Sequence, residues 1–464
     1  MVIPKKLKLY SLRNIDDIPQ FKLLSPELRF NSKVVANVLP FRTNNYVVDE
    51  LIDWNKVPND PMFQLTFMQK GMLEEEDFNT MADLLRRDAP KEEITEAANL
   101  IREKLNPHPA AQRTANMSVY NDEVLLPGVQ HKYKEIALVF PSSSQTCHAY
   151  CTFCFRWAQF TGNTDIKFAT HESKIFLKYI RDHKELTDIL FTGGDPMVMN
   201  LEKLKTYIEP LLGEEFSHIR NIRIGTKSIA YWPYKYVTDP EADDLIKFFS
   251  QITSAGKHLS IMGHFNHWVE SSTEVSHEAI KRILSTGAVI RTQSPLIKHI
   301  NDDASIWSRM WLDHLSLGLV PYYMFVERDT GARKYFAVPL YKAFNIFQKA
   351  YSSVTGLCRT VRGPSMSATP GKISIEGIAE INGEKVFVLN FIRGRNRSWV
   401  RRPFFAKYDE KAIWYDDLIP AFGKNKFFFD DELKNILKEK EEITNAVLLK
   451  NSEASEIDSK SGAA

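Results

Sequence analysis

Three of the four cysteines in the chain stand within eight positions: Cys147, Cys151 and Cys154, in the segment SSSQTCHAYCTFCFRWAQF (142–160). Their spacing is Cys-x3-Cys-x2-Cys, and Cys358 lies more than two hundred residues away. Three thiolates on one short loop can wrap a metal centre. A structural zinc takes four protein ligands, usually as two spaced pairs. No second Cys/His pair is present, and His148, inside the loop, would ligate only with strain. A [4Fe–4S] cluster held by three cysteines has one iron open to a substrate or cofactor. The missing fourth ligand is therefore the informative feature. Zinc binding, and thiols that are simply small buried hydrophobes, are the alternatives.

Such a loop needs elements to position it. Residues 1–130 mix Pro-rich turns with helical segments, EEEDFNTMADLLRR and KEEITEAANLIREKL among them, and form an N-terminal, mostly helical extension. Over 131–355 short apolar runs alternate with amphipathic helical ones. The strand candidates are EIALVF (135–140), DILFTGG (188–194), NIRIGT (221–226), HLSIMGHF (258–265), AVIRTQS (288–294) and LVPYYMFV (319–326). HESKIFLKYIRDH, PEADDLIKFFSQI and SHEAIKRILSTG fall between them. Six strand-then-helix units predict a parallel sheet, and their number and polar strand ends suggest a partial barrel. The cysteine loop follows the first strand, at the C-terminal mouth where such folds place their chemistry. Residues 356–437 hold a Gly/Pro-rich loop and a β-like stretch, KVFVLNFIRG, while 438–464 reads as a fraying helix with a disordered end.

Composition excludes several classes. The 464 residues are 44% hydrophobic and 25% charged, the balance of a soluble globular protein. Sixty basic against fifty-eight acidic residues leave a net charge of +2, with no broad footprint for nucleic acid. The N-terminal sequence MVIPKKLKLYSLRNIDDIPQF has no apolar core of signal-peptide length, and no stretch approaches a transmembrane helix. Sparse cysteines point to a reducing, cytoplasmic setting, where clustered thiols are metal or redox ligands.

Cys-x3-Cys-x2-Cys after the first strand of a βα series resembles the signature of the radical S-adenosylmethionine (SAM) enzymes. The resemblance implies that SAM chelates the open iron and is cleaved to a 5′-deoxyadenosyl radical. It also places Phe153 near the adenine, and the turn Gly193-Gly194-Asp195 against the SAM amino group. A plain strand-to-helix turn is the alternative for that tripeptide alone. From about Trp54 to Lys372 the chain further resembles the lysine 2,3-aminomutase branch. The landmarks are PGVQHKY (127–133), the cysteine loop through Arg156, GGD, RIGTKS (223–228), GHFNH (263–267), RTQSPLIKHIND (291–302), PYYMFVERD (321–329) and TPGKISI (369–375).

This branch implies pyridoxal phosphate (PLP) beside SAM, with Lys372 on a Gly-rich, accessible loop forming the Schiff base. It implies that Arg156 pairs with the substrate α-carboxylate, that Lys132 and Tyr133 stand against PLP, and that His264 and Gln293 line the SAM site. The chain departs from the branch in four ways. A second phosphate-binding arginine falls at Ile136. The glycine run before the PLP lysine is reduced to SATPGK. The two aspartates that grip the substrate ammonium fall at Arg328 and Ser365. Nothing past Cys358 can form the C-terminal zinc cluster. A cation in place of those aspartates repels a lysine tail, so Arg328 and Ser365 are expected to take an anionic or polar one, as in glutamate. Alternatively Glu327 or Asp329 swings in and a cationic substrate survives. The basic-aromatic segment IRGRNRSWVRRPFF (392–405) is read as an intramolecular or subunit contact.

The expected fold is α/β, a partial (β/α)6 TIM-like radical SAM barrel with an N-terminal helical and a C-terminal α+β extension. The expected function is a [4Fe–4S]-, SAM- and PLP-dependent amino-acid 2,3-aminomutase, an isomerase, acting on a free amino acid other than lysine. The alternatives are a PLP-independent radical SAM enzyme performing epimerisation or peptide modification, a lysyl aminomutase acting on a translation elongation factor, and a structural metal-binding scaffold. A reducing partner such as flavodoxin or ferredoxin and a homo-oligomer are implied; nucleic-acid and membrane partners are not.

Overall fold

The computed structural model describes residues 2–109, 116–120, 124–161 and 173–461. A short antiparallel ribbon of β1 (Leu9–Ser11) and β2 (Arg42–Asn44) sits in the N-terminal region. The helices Pro26–Val38, Glu75–Arg86 and Lys91–Lys104 pack beside it. Ser25 caps the first by accepting the Leu28 N–H. The second buries Phe78, Met81 and Ala82, the helical spacing apparent in its sequence.

A twelve-stranded sheet forms the rest. Its strands are β3 (Met117–Tyr120), β4 (Val124–Tyr133), β5 (Ile136–Val139), β6 (Asp188–Phe191), β7 (Asn221–Thr226), β8 (His258–His264), β9 (Val289–Leu296), β10 (Val320–Val326), β11 (Arg362–Ser367), β12 (Gly371–Ile381), β13 (Glu384–Gly394) and β14 (Phe404–Lys407). Strands β5 to β10 are parallel and neighbour one another in sequence order. A helix follows each of the six, Ser173–Asp182 after β5 and Leu340–Ser352 after β10 among them. Parallel neighbours need such crossovers, and the helices bury their apolar stripes on the sheet. Helix Ala242–Ser254 buries Leu245, Phe248, Phe249 and Ile252, an i, i+3, i+4, i+7 set. Truncating the fully buried Phe249 to alanine would cost about 3–5 kcal/mol.

The six strands curl into an open barrel, because residues from every one of them face a single cavity. Antiparallel strands extend both edges: β4 and β3 beyond β5, and β12 to β14 beyond β11, which itself runs parallel to β10. A second apolar core, with Phe387, Phe391, Trp399 and Phe429 at its centre, supports the C-terminal hairpins.

Several boundaries differ from the expectation. The N-terminal zone is not helical throughout, since it holds β1 to β3, and position 130 falls inside β4. The last helix runs Asp430–Ser461, so the expected start of the tail at 438 lies within it. The helix read from HESKIFLKYIRDH spans Ser173–Asp182, with 171–172 outside the described residues. Among the described residues, no helix is long and apolar enough to cross a membrane.

Candidate active site

A cavity of about 390 Å³ runs inside the barrel, and Cys147, Cys151 and Cys154 line it. The N-terminal region fastens their loop. Arg42 of β2 donates to Thr146 Oγ1, and its carbonyl accepts the Tyr150 N–H at 2.8 Å. Asn44 Nδ2 donates to the His148 carbonyl at 3.0 Å and to the Tyr231 carbonyl at 2.9 Å. Thr152 binds the carbonyls of Gln64 and Leu65. The Tyr231 hydroxyl lies 3.2 Å from Cys151 Sγ. Burial and the neighbouring negative groups push all three thiols up, Cys151 to about 11 and Cys154 to about 12. Crowded, buried thiols of this kind ionise when a metal takes the sulfur, which suits a cluster and not a free nucleophile. His148 is buried, held near pKa 3 by desolvation, and does not line the cavity. It is not a fourth ligand in this arrangement.

The Gly193-Gly194-Asp195 turn packs directly on the cysteine loop. Gly194 N–H donates to the Ser144 carbonyl at 3.0 Å, and Asp195 N–H to the Thr146 carbonyl at 2.7 Å. A Cβ at Gly194 would meet Thr146 backbone oxygen at 2.3 Å, so only glycine permits this approach. The Asp195 carboxylate is engaged already, accepting from Thr226 Oγ1 at 2.6 Å and from the backbone N–H groups of Met197 and Lys227 at 2.9 Å. It fastens β6 to β7 while the turn lines the cavity.

Phe153 and Arg156 of the cysteine loop line the cavity, with His264 from the end of β8 and Gln293 from β9. His264 Nε2 and Gln293 Nε2 lie 2.7 Å apart, and burial holds the imidazole neutral, at about 3. Lys227 reaches the same wall but is tied to Glu270 and to Asn266 Oδ1 at 2.8 Å. Arg156 is 6% exposed, with Nε and Nη2 unpartnered and its guanidinium 4.2 Å from the centre of the Phe140 ring. Desolvation brings its pKa down to about 10, yet it remains a cation at neutral pH. A buried guanidinium with two idle donors is built to receive a carboxylate.

The end of the cavity around Ile136 is lined by Lys132, Tyr133, Ile136, Arg223, Lys372 and Arg393. Lys372 is not on a loop. It is the second residue of β12, paired with Ser367 of β11 and Arg393 of β13. Gly371 makes the close pairing possible, since a Cβ there would meet the Arg393 carbonyl oxygen at 2.3 Å. The Lys372 ammonium position lies 3.9 Å from the Tyr323 ring centre and 4.6 Å from that of Phe325. Burial first, then the charges of Arg393, Arg223, Arg362 and Arg328, hold its pKa well below the ordinary lysine value. Burial first, then the charges of Arg395, Arg328 and Lys372, depress Lys132, which donates to the Ala368 carbonyl at 2.7 Å.

Arg328 lines the cavity with its Nε unpartnered, 3.8 Å from Asp329 Oδ1. Ser365 does not: it is fully buried, within 3.5 Å of the Met324 carbonyl, and Ser367 faces the cavity instead. The register between β10 and β11 shifts by one residue between Tyr323 and Phe325. Glu327 also borders the cavity, both carboxylate oxygens unpartnered, and desolvation raises its pKa well above the usual range. The 392–405 segment packs internally, Trp399 Nε1 donating to Glu432 at 2.7 Å and Arg395 to the Thr369 carbonyl at 2.8 Å. Asn44, Arg42, Tyr231 and Arg393 are site residues that no local motif announces.

Three buried thiols and a buried lysine of depressed basicity line one barrel cavity, a setting in which a metal centre could stand beside a carbonyl-reactive amine. Comparison with known proteins gives the family. No family model matches the chain. A protein of Aquifex aeolicus (strain VF5) named "Putative L-lysine 2,3-aminomutase" is 31% identical over 424 residues, 91% of this chain and 98% of the relative. The L-lysine 2,3-aminomutase of Acetoanaerobium sticklandii is 26% identical over 57% of this chain and 61% of its own length. The glutamate 2,3-aminomutase of Clostridioides difficile (strain 630) is 26% identical over 46% of this chain and 47% of its own. A solved radical SAM methyltransferase from Sphaerobacter thermophilus covers 53% of this chain and 68% of its own at 15% identity and a TM-score of 0.33, too low to bear on the architecture. The chain belongs to the lysine 2,3-aminomutase family.

Proposed function

We propose that the protein is a radical SAM amino-acid 2,3-aminomutase using a [4Fe–4S] cluster, SAM and PLP, with a free amino acid of non-cationic side chain as substrate. The observation that carries this reading is the single cavity joining the cysteine trio, the idle donors of Arg156 and the buried amine of Lys372, whose basicity is depressed. When bound, the cluster and SAM would supply a hydrogen-abstracting radical, and PLP would supply a π-system able to delocalise an unpaired electron while the amino group migrates. The chain's own residues do the rest. Cys147, Cys151 and Cys154 would hold three irons, and the fixed Gly193–Asp195 turn with Phe153, His264 and Gln293 would enclose the SAM site. Arg156 grips the α-carboxylate, fixing which hydrogen faces the radical source. Lys372, its basicity lowered by burial and by the neighbouring arginines, would form the imine with the PLP aldehyde. Lys132 and Tyr133 flank the cofactor end, and Phe140, Leu138 and Met262 keep the cavity wall apolar. A small reducing protein such as flavodoxin or ferredoxin would supply the electron.

Arg328 supports the non-cationic tail, since a second ammonium beside a buried guanidinium is repelled. Glu327 supports a second reading, in which its unpartnered carboxyl takes a cationic tail. Anaerobic reconstitution followed by an amino-acid screen separates them, scoring β-isomers and 5′-deoxyadenosine. Glutamate or another uncharged or anionic amino acid is expected to turn over. Lysine turning over in preference to glutamate overturns the assignment of the tail, and no isomer from any amino acid overturns the function.

A further inference from the structure

Ile136 opens β5, at the end of the cavity opposite the cysteines, and brings no charge to a wall otherwise crowded with cations. Arg393, 257 positions later in the chain, covers that spot. Its guanidinium lies 5.6 Å from the ring centre of Tyr133, the register partner of Ile136 on β4. Its Nη1 stands 3.7 Å from Oε1 of Glu135, the residue before Ile136. Its charge also acts on Asp188, the register partner of Ile136 on β6. From the other side Arg393 is the cross-strand partner of Lys372, and the strongest positive field on that lysine is its own.

We infer that Arg393, presented by the C-terminal hairpin, binds the phosphate of the PLP held at Lys372, in the place of the cation that Ile136 does not provide. The inference rests on the PLP reading above and assigns a residue that the reading does not use. Lys132, Arg223, Lys372 and Arg393 converge on this end, with Glu135 and Asp188 as the carboxylates near them. Asp188 is taken by Arg223 Nε at 2.6 Å, and Arg223 Nη2 has no partner. A loose, half-exposed contact with Glu135 is worth little by itself and leaves most of the fork of Arg393 free. Arg223 and Arg393 each keep part of their forks free, and a phosphate dianion matches the forks of two arginines. Position 136 lies on the sheet edge that β4 covers, whereas β13 reaches the same volume from the opposite edge. The open barrel thus allows the charge to be supplied from either side.

The test is the ratio of affinities for PLP and for pyridoxal, read from the visible absorption each gives on attachment to the full-length protein, with Lys372→Ala as the blank. Any change in the basicity of Lys372 moves both ligands together, whereas a lost phosphate contact moves PLP alone. Arg393→Gln should lower the PLP-to-pyridoxal ratio by roughly 10- to 100-fold. Arg393→Gln with Ile136→Arg should restore most of it, and Arg393→Lys, the variant least disturbing to the fold, should lower it severalfold. An unchanged ratio in both Arg393→Gln and Arg393→Lys overturns the inference. A wild-type protein that gives no absorption with PLP, or prefers pyridoxal, overturns the PLP reading itself, which is a distinguishable result.

Discussion

At the scale of single residues, Tyr231 shows how the surroundings of the cysteines tune what they hold. Its hydroxyl is 3.2 Å from Cys151 Sγ, and its carbonyl is pinned by Asn44. A cysteine that ligates iron has no proton to give, so the phenol is then the donor. A hydrogen bond to a ligating sulfur withdraws negative charge and favours the reduced state of a cluster. Tyr231→Phe removes this donor and little else. It is expected to leave the iron content unchanged and to shift the cluster midpoint to a more negative potential, as read by potentiometric titration of its EPR signal. Cys154 Sγ accepts a backbone donor from Arg156 that side-chain substitution cannot remove, so Tyr231 is the accessible point of control.

At the scale of elements, the cysteine loop depends on β2, which lies about a hundred residues before it. Asn44 joins the loop carbonyl of His148 to that of Tyr231 and is fully buried. Asn44→Ala would leave two buried carbonyls without their donor, costing about 1–3 kcal/mol for each left unsatisfied. The expected outcome is a lower melting temperature and a faster loss of iron on dilution into chelator, with PLP absorption retained. The other end of the cavity depends on the pairing of β12 with β13, which turns Lys372 inward beside Arg393. The two ends of the site are thus built by the two extensions of the barrel, and each can be damaged separately.

At the scale of the whole molecule, the barrel gathers positive charge around Lys372 and removes water from it. The lysine is therefore unprotonated at a pH where a free lysine is still charged. Attachment of PLP, followed by the growth of its visible band against pH, should reach its plateau below the ordinary lysine range. Removing a positive neighbour favours the protonated form, so Arg393→Gln should move that profile to higher pH. The parallel strands and the cysteine loop were legible because apolar runs and thiol spacing are local patterns. The position of Lys372 was legible as TPGKI, but its setting was not: Gly371 and Lys372 read as part of a loop until β13 pairs alongside. Ser365 reads as a substrate contact in the sequence, but its pairing beside β10 buries it near the Met324 carbonyl and leaves Ser367 lining the cavity.

Read without a structure, the chain determines a three-thiolate loop after the first strand of an α/β series, since spacing within a segment is written into covalent order, and its resemblance to the aminomutase branch singles out Lys372 for a cofactor and Arg156 for a carboxylate. Only the tertiary structure decides that one cavity connects them, that Asn44 and Tyr231 steady the loop, and that Arg393 meets the surface around Ile136. Those contacts join residues far apart in the chain, and burial within the closed-in barrel, not residue type, sets the charge state of Lys372 and leaves Arg156 with donors to offer.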